Sequence, residues 1–342
     1  MNDALHDALE RYVEAPDLAQ FDRLAADVVR HQAARIPAYG RLIKARGGFD
    51  GDWRSAPLVP TDLFRELDLC SAPLDAELEA RFLTSGTTTG TRGCRRVPDL
   101  TLYHAGMIAP FVTHVLAGDT TPRRWLALVP TPEHDPESSL SHMVGALAQR
   151  LSGDITWVMT PQGLDVEGAT AFTEGLDEPV VVLTTAFALI HWLDGSGDAL
   201  MPLPAGSRMM LTGGYKGRAR TVEEPELLRL IETRLGLSED AVVPEYGMTE
   251  LTSQAYGRPF EAPPWLRLRV VDPATGRDVP EGQEGLVAFF DLLNLDNISA
   301  LLTGDLGRLD PAGRLTLLGR APGQVVRGCS LTAEELGVLS RS

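Results

Sequence analysis

The chain has 342 residues, 44% hydrophobic and 6% aromatic, with a formal charge of −16, which suits one large or two modest globular domains with an ordinary core. An acidic surface repels nucleic acid and anionic membranes, and no apolar run reaches the roughly 18 residues that span a bilayer, so neither is expected as a partner. The acidic amphipathic start "MNDALHDALERYVEAPDL" lacks the basic head and apolar core of a signal peptide, so a cytoplasmic location is expected.

In chain order, residues 1–46 read as helical, with Leu18, Phe21, Leu24 and Val28 at helical spacing and Pro37 as an interruption. "APLVPTDLF" (56–64) reads as extended, and 100–117 as a helix. Short apolar runs then alternate with helical ones. "RWLALVP", "ITWVM", "PVVVLTT", "SRMMLTGG" and "AVVPEYG" read as strands. "SSLSHMVGALAQRLSG" (closed by its glycine), "LDVEGATAFTEGL", "AFALIHWLDG" and "EEPELLRLIETRLGL" (opening near Pro225) read as helices between them. This alternation predicts an α/β domain with a largely parallel sheet. From about residue 258, "LRLRVVDPATGRDVPEGQEGLVAFFDL" and "GDLGRLDPAGRLTLLGR" predict antiparallel hairpins in a small barrel-like subdomain.

Only Lys44 and Lys216 among the 31 basic residues are lysines, which leaves two candidates for any catalytic lysine. Cys70, Cys94 and Cys329 are widely spaced and outside any Cys/His cluster, so neither a disulfide framework nor a zinc site is supported. His142 and His191 lie in apolar helical segments and are expected to pack in the core.

Three stretches carry polar chemistry. "TSGTTTGTRG" (84–93) gathers glycines, which let backbone N–H groups approach a ligand, and hydroxyls that add donors, a composition suited to phosphate oxygens. It fails the P-loop pattern: Gly86 and Gly90 are one residue too close, Arg92 takes the cation's place, and Gly93 stands where a hydroxyl should follow. By itself it reads equally as a turn-rich loop. "VVPEYGMTELTS" (242–253) places Glu250 just past a strand, at the sheet edge where ligands bind. A carboxylate there suits Mg²⁺, which takes one or two carboxylates plus phosphates; the alternative is a solvated helix-cap acid. "LLTGDLGRLDPAGRLTLLGR" (301–320) offers Asp305 for a pair of ribose hydroxyls and Arg320 beside it, or an ordinary hairpin ion pair.

The order of these stretches, with Y-G-M-T-E before T-G-D and a closing G-R, resembles the adenylate-forming superfamily of acyl-CoA synthetases, luciferases and adenylation domains. The loop aligns without a gap to that family's T-S-G-T-T-G-x-P-K-G, departing at Thr89, where glycine is usual, and at Thr91, where proline is. Within it the chain is most similar to the LuxE-like acyl-protein synthetases, through "HQAARIPAYGRLI", "VPTDLF", "FLTSGTTT", "SLSHMVGAL", "LTGGYKG", "YGMTEL", "PPWLR" and "VVRGCSL".

The resemblance implies an N-terminal core of the adenylate-forming fold over 1–320, with a helical start at 1–50, a β-rich subdomain over about 258–320, and a 321–342 tail that carries Cys329. The usual C-terminal lid domain and its lysine are not expected, because the chain ends 22 residues past Arg320. It implies ATP and Mg²⁺ as cofactors and a carboxylic acid, such as a fatty acid, as substrate. Thr84, Ser85, Gly86, Thr87 and Thr88 would cradle the phosphates, with Arg92 as a cation; Gly213, Gly214 and Tyr215 would enclose adenine, with Tyr246 close by and Gly247 also at the nucleotide. Thr249 and Glu250 would act at the metal, with Glu250 as its ligand, and Asp305 and Arg320 at the ribose. Lys216 would either replace the missing lysine or be a strand-end lysine facing water. His142 falls within a matched segment and would approach the acyl pocket.

Cys329 precedes a Thr332-x-x-Glu335 capping box and lies two residues from Arg327, both reasons for a lowered thiol pKa. By resemblance it is the acyl acceptor, passing the acyl group to a reductase partner. Two alternatives stand beside this. One is a ligase that hands the acyl group directly to CoA, a carrier protein or an amine. The other is a non-catalytic scaffold for a reductase.

Overall fold

The computed structural model describes residues 3–84, 92–152, 154–213 and 223–321. Contacts divide the chain into two units, Met1–Gly106 with Met248–Gln254 and Pro259–Ser342, and Met107–Gly247 with Ala255–Arg258.

The first unit opens with α1 (Asp3–Glu14), α2 (Leu18–Arg35) and α3 (Pro37–Ala45). Asp17 caps α2 by accepting the Ala19 N–H, and Pro37 starts α3 where no intrahelical donor is needed. Pro37 thus marks a boundary between two helices, as its fixed φ and missing N–H require. Phe21, Leu24 and Val28 are buried as their spacing predicts, but Leu18 is exposed, because it is the first helical residue and lies beyond the packed stripe. Phe21, Trp53 and Phe290 form an aromatic cluster with centroids 5.1–6.1 Å apart, which fastens α2 to the sheet behind it.

Two short strands follow, β1 (Val59–Pro60) and β2 (Ala80–Leu83); β3 (Cys94–Val97) pairs antiparallel with β2. Helix α4 (Thr101–His114) is shorter than the 100–117 expected.

The second unit is built on β4 (Arg124–Pro130), α5 (Ser139–Leu151), β5 (Asp154–Thr160), β6 (Gly163–Leu164), α6 (Val166–Phe172), β7 (Val181–Thr185), α7 (Ala186–Gly195), β8 (Arg208–Thr212), α8 (Glu224–Leu235), β9 (Val242–Tyr246) and β10 (Ala255–Tyr256). The sheet runs β10-β9-β8-β7-β4-β5-β6, with five parallel central strands and an antiparallel strand at each edge. Its inner strands are nearly continuous apolar runs, the pattern of strands covered on both faces. Trp192, Leu189, Ile231, Leu227, Val182 and Met209 fill one side. Helix α5 ends at Leu151 with Ser152 as its cap, before the glycine expected to close it. His191 is exposed and stacks on Phe187, so it is not in the core.

The chain then returns to the first unit as β11 (Leu266–Val271), β12 (Gly285–Asp291), β13 (Ala300–Leu309) and β14 (Leu315–Arg320), joined by antiparallel ladders. β1 joins β13 in parallel, Val59 opposite Leu301, a pairing that spans most of the chain. No helix among the described residues is long and apolar enough to cross a membrane.

The α2–α3 junction admits no side chain at Gly40, since an added Cβ would lie 2.4 Å from the Ala33 carbonyl oxygen. An alanine in a helix interior ordinarily stabilises by about 1 kcal/mol over glycine. Here Gly40→Ala is expected to destabilise by roughly 1–3 kcal/mol through overpacking. Thermal unfolding checks it; an unchanged or raised Tm contradicts the close approach.

Candidate functional site

In the second unit the parallel strands deliver several expected residues to one sheet edge. Gly213 follows β8 with φ +85°, a conformation that suits glycine alone. Tyr246 ends β9 and is buried, and Gly247 follows it. The strand order reverses between β4 and β7, and open α/β sheets bind ligands at the carboxyl ends beside such a reversal. Just inside that edge, Thr212 on β8 and Glu245 on β9 are in-register neighbours, and the threonine hydroxyl donates to the glutamate carboxyl. Burial pushes the Glu245 carboxyl up to about 7, against the lowering effect of that bond. Sequence reading passed over Glu245; an acidic residue inside the apolar run "AVVPEY" was the available signal.

In the first unit, β2 and β3 form the stem of the hydroxyl-rich loop. Thr84 closes it twice: its N–H donates to the Gly93 carbonyl at 2.9 Å, and its hydroxyl accepts the Gly93 N–H at 2.8 Å. Arg92 folds back onto this stem, its Nε donating to the Thr84 carbonyl at 2.7 Å and an Nη to the Leu83 carbonyl at 3.1 Å. A Cβ on Gly93 would crowd Thr84 and Phe64. Ser85, Gly86, Thr87 and Thr88, with the atypical Thr89, lie outside the described residues.

Thr249 and Glu250 occupy a turn between β9 and β10. Glu250 is 8% exposed, and burial pushes its carboxyl up to about 7, opposed in part by the nearby Arg95 guanidinium. The turn is held by side chains that sequence reading did not single out. Arg95 on β3, 3% exposed, donates to the carbonyls of Leu251 (2.7 Å) and Thr249 (3.3 Å), to the Thr252 hydroxyl, and to Asn294 Oδ1 (2.7 Å). Asn294 donates to the Glu250 carbonyl at 2.8 Å. Asp291, fully buried, accepts from the N–H groups of Thr252, Ser253 and Leu293 and from the Ser253 hydroxyl. Burial raises the Asp291 carboxyl and lowers Arg95 from their ordinary values, and the two charges offset each other.

Asp305 and Arg320 face each other across the β13–β14 ladder, with Arg320 Nε donating to Asp305 Oδ1 at 3.1 Å. The aspartate side chain is 16% exposed and the arginine 71%. Gly214, Tyr215, Lys216 and Cys329 lie outside the described residues, as does the Thr332–Glu335 capping box. Of the other thiols, Cys70 is buried and pushed up to about 11, a poor nucleophile, and Cys94 accepts a hydrogen bond from Arg81 Nε.

Glu250 suits a magnesium ion. A carboxylate kept in a buried turn gains from a hard cation that returns it to the charged form, and Mg²⁺ takes one or two carboxylates with phosphate oxygens and water. Among the described residues, the His6, Asp7 and Glu10 group on α1 is the only cluster of three metal-capable side chains, and none of the expected metal-site residues is part of it.

No family model matches the chain, and no curated protein matches it. Solved structures do. An open conformation of 2-hydroxyisobutyryl-CoA ligase, in complex with 2-HIB-AMP and CoA, aligns over 91% of this chain and 77% of its own, at 17% identity and a TM-score of 0.63. ATP-bound MatB from Rhodopseudomonas palustris aligns over 73% of this chain and 49% of its own, at 18% identity and 0.51. An ATP-bound RpMatB-BxBclM chimera gives 71%, 48%, 18% and 0.51 for the same measures, so the chain spans about half the length of these last two. At such identities the likeness is one of fold: the chain has the α/β core fold of the adenylate-forming enzymes, the fold that its motif order implied.

The Glu245 carboxyl stays protonated in the folded protein up to about pH 7, whereas its unfolded counterpart ionises near 4.5. Between those values a rising pH therefore favours unfolding, and above them the loss is constant. Glu245→Gln removes this term, so its stability relative to wild type should rise by up to about 3 kcal/mol from about pH 5 to 7.5. Denaturant unfolding across that range measures it; a pH-independent difference would show that the carboxyl is not held neutral.

Proposed function

We propose that the chain activates a carboxylic acid with ATP, giving acyl-AMP and pyrophosphate, and then transfers the acyl group to a thiol. The observation that most supports this is the coincidence of the ligase core fold with a buried Glu250 held in the Y-G-M-T-E turn. Neighbours in fold were captured with ATP or with an acyl adenylate and CoA.

In this reading a substrate carboxylate oxygen attacks the α-phosphorus, and the bond to the pyrophosphate oxygen breaks. The demands are charge neutralisation and alignment rather than covalent help from the protein. Thr84, Ser85, Gly86, Thr87 and Thr88 hold the β- and γ-phosphates, and Gly213, Gly214, Tyr215, Tyr246 and Gly247 enclose adenine. Asp305 accepts hydrogen bonds from the ribose hydroxyls, oriented by Arg320. Arg92 and Lys216 are the cations nearest these segments in sequence; Arg92 reaches phosphate only by leaving the Thr84 carbonyl. Glu250, with Thr249 beside it, would hold Mg²⁺, which supplies charge neutralisation at the phosphates.

The second half-reaction is assigned to Cys329. Its thiolate attacks the acyl carbonyl, AMP departs, and the thioester passes to a partner, an acyl reductase or a carrier protein. This is the chemistry of an acid–thiol ligase of the acyl-protein synthetase type, working in the cytoplasm. Direct transfer to CoA is the competing reading, favoured by the CoA bound in the hydroxyisobutyryl ligase.

ATP–pyrophosphate exchange over a panel of fatty, aryl and hydroxy acids tests the first step, and its absence with every acid would overturn the reading. Glu250→Gln should lower exchange by about 10²-fold or more. Cys329→Ala should leave exchange intact while abolishing the labelled acyl-protein and its onward transfer; product formation that survives the change assigns the acyl group to a direct acceptor.

A further inference from the structure

The backbone between Thr249 and Ser253 belongs to no helix or strand. Buried backbone groups outside regular structure must find other partners. Here five of them find side chains. The carbonyls of Thr249 and Leu251 take Arg95, the carbonyl of Glu250 takes Asn294, and the N–H groups of Thr252 and Ser253 take Asp291. These anchors come from β3 and from the end of β12 and the turn after it. They are tied to one another, since Arg95 and the Thr252 hydroxyl both donate to Asn294 Oδ1. Gln32 on α2 braces the assembly by donating to the Asn294 carbonyl and to the Ser299 hydroxyl, both at 2.8 Å.

Arg95 has a second attachment. It stands opposite Phe82 in the β2–β3 ladder, two residues past Gly93, where the stem of the hydroxyl-rich loop closes. One side chain therefore joins the base of that loop to both carbonyls flanking Glu250. A lysine cannot make these contacts, because a single ammonium does not reach four acceptors in two directions as the guanidinium fork does.

We infer that Arg95 is a positioning residue that sets the Glu250 carboxylate in register with the Thr84–Gly93 stem of the hydroxyl-rich loop, acting with Asn294 and Thr252 as a clamp on the turn. The role in phosphate and metal binding rests on the adenylating function proposed above; the clamp itself does not. Fixing the carbonyls on either side of Glu250 fixes its Cα–Cβ direction. A loosened turn would leave the fold in place while the carboxylate samples several directions.

The experiment uses the full chain and compares wild type with Arg95→Lys, Thr252→Val and Thr252→Ser. Thr252→Val keeps the shape but removes the hydroxyl between Arg95 and Asn294, and Thr252→Ser restores it. Amide hydrogen exchange without ligand should rise about tenfold or more at residues 249–254 in Arg95→Lys and Thr252→Val, with the central strands β4 and β7 unchanged. Thr252→Ser should behave as wild type. Mn²⁺ titration of the ATP complex, read by electron paramagnetic resonance, should show about tenfold weaker metal binding in the same two variants.

Unchanged protection at 249–254 in both variants overturns the clamp. Increased exchange with unaltered Mn²⁺ affinity overturns its role in placing Glu250. Should Arg95→Lys fail to fold, the valine and serine variants at 252 decide the matter alone. If wild type binds no Mn²⁺–ATP, the adenylating reading falls, and the exchange data still decide the clamp.

Discussion

A guanidinium in a protein interior costs several kcal/mol of lost hydration unless its donors and its charge are met. Arg95 meets most of that demand through its two terminal nitrogens, which reach two backbone carbonyls, a hydroxyl and an amide oxygen, while its Nε is left without a partner and the buried Asp291 supplies the opposite charge. No hydrogen bond joins the acid to the arginine; Thr252 lies between them, donating its N–H to Asp291 and accepting from Arg95 at its hydroxyl. Buried hydrogen bonds that share members in this way strengthen one another, and losing one partner leaves its neighbours unsatisfied. The first unit is organised about it: β3, the Glu250 turn, the end of β12 and helix α2 all contribute to one set of bonds.

The second unit gathers its expected residues by another route. Its parallel strands bring Gly213 and Tyr246–Gly247 to one edge because every crossover returns the chain in the same direction. Loops at such an edge are free to vary, and the site residues need no special folding of their own. Glu245 is the exception, a carboxyl kept neutral by burial against the opposing pull of the Thr212 hydroxyl one strand away. Glu245 and Glu250 stand five residues apart and share an elevated pKa, but they answer to different surroundings. Glu245 is met by a neutral donor, and Glu250 lies under the influence of Arg95 and of the Asp62 and Arg65 charges.

Much of the fold was legible in the sequence. Apolar runs bounded by Gly, Pro and Asp, alternating with helical stripes, marked the parallel sheet, and the Asp-Pro-Ala-Gly turn marked the β13–β14 hairpin. The errors have local causes. His191 and Leu18 belong to apolar segments but lie off the packed face, which periodicity over a short window does not resolve. Of the expected site, the structure brings together Asp305 with Arg320 and Thr84 with Arg92, and seats Glu250 in a buried turn. Arg92, expected to face phosphate, instead closes its own hairpin, because unpaired carbonyls at a strand end attract the nearest fork of donors.

By itself the sequence determined the periodic elements, the turn positions and the order of the polar motifs, since each of these depends on residues within a few positions of one another. The tertiary structure alone decided that Val59 would pair with Leu301, that Glu245 would be neutral, and that Arg95, Asp291 and Asn294 would hold the Glu250 turn. An arginine in "CRRVPDL" or an asparagine in "DLLNLDN" looks like ordinary surface polarity in a string. What sets them apart is burial, and burial is a property of the neighbours that folding brings from 150 to 200 residues away.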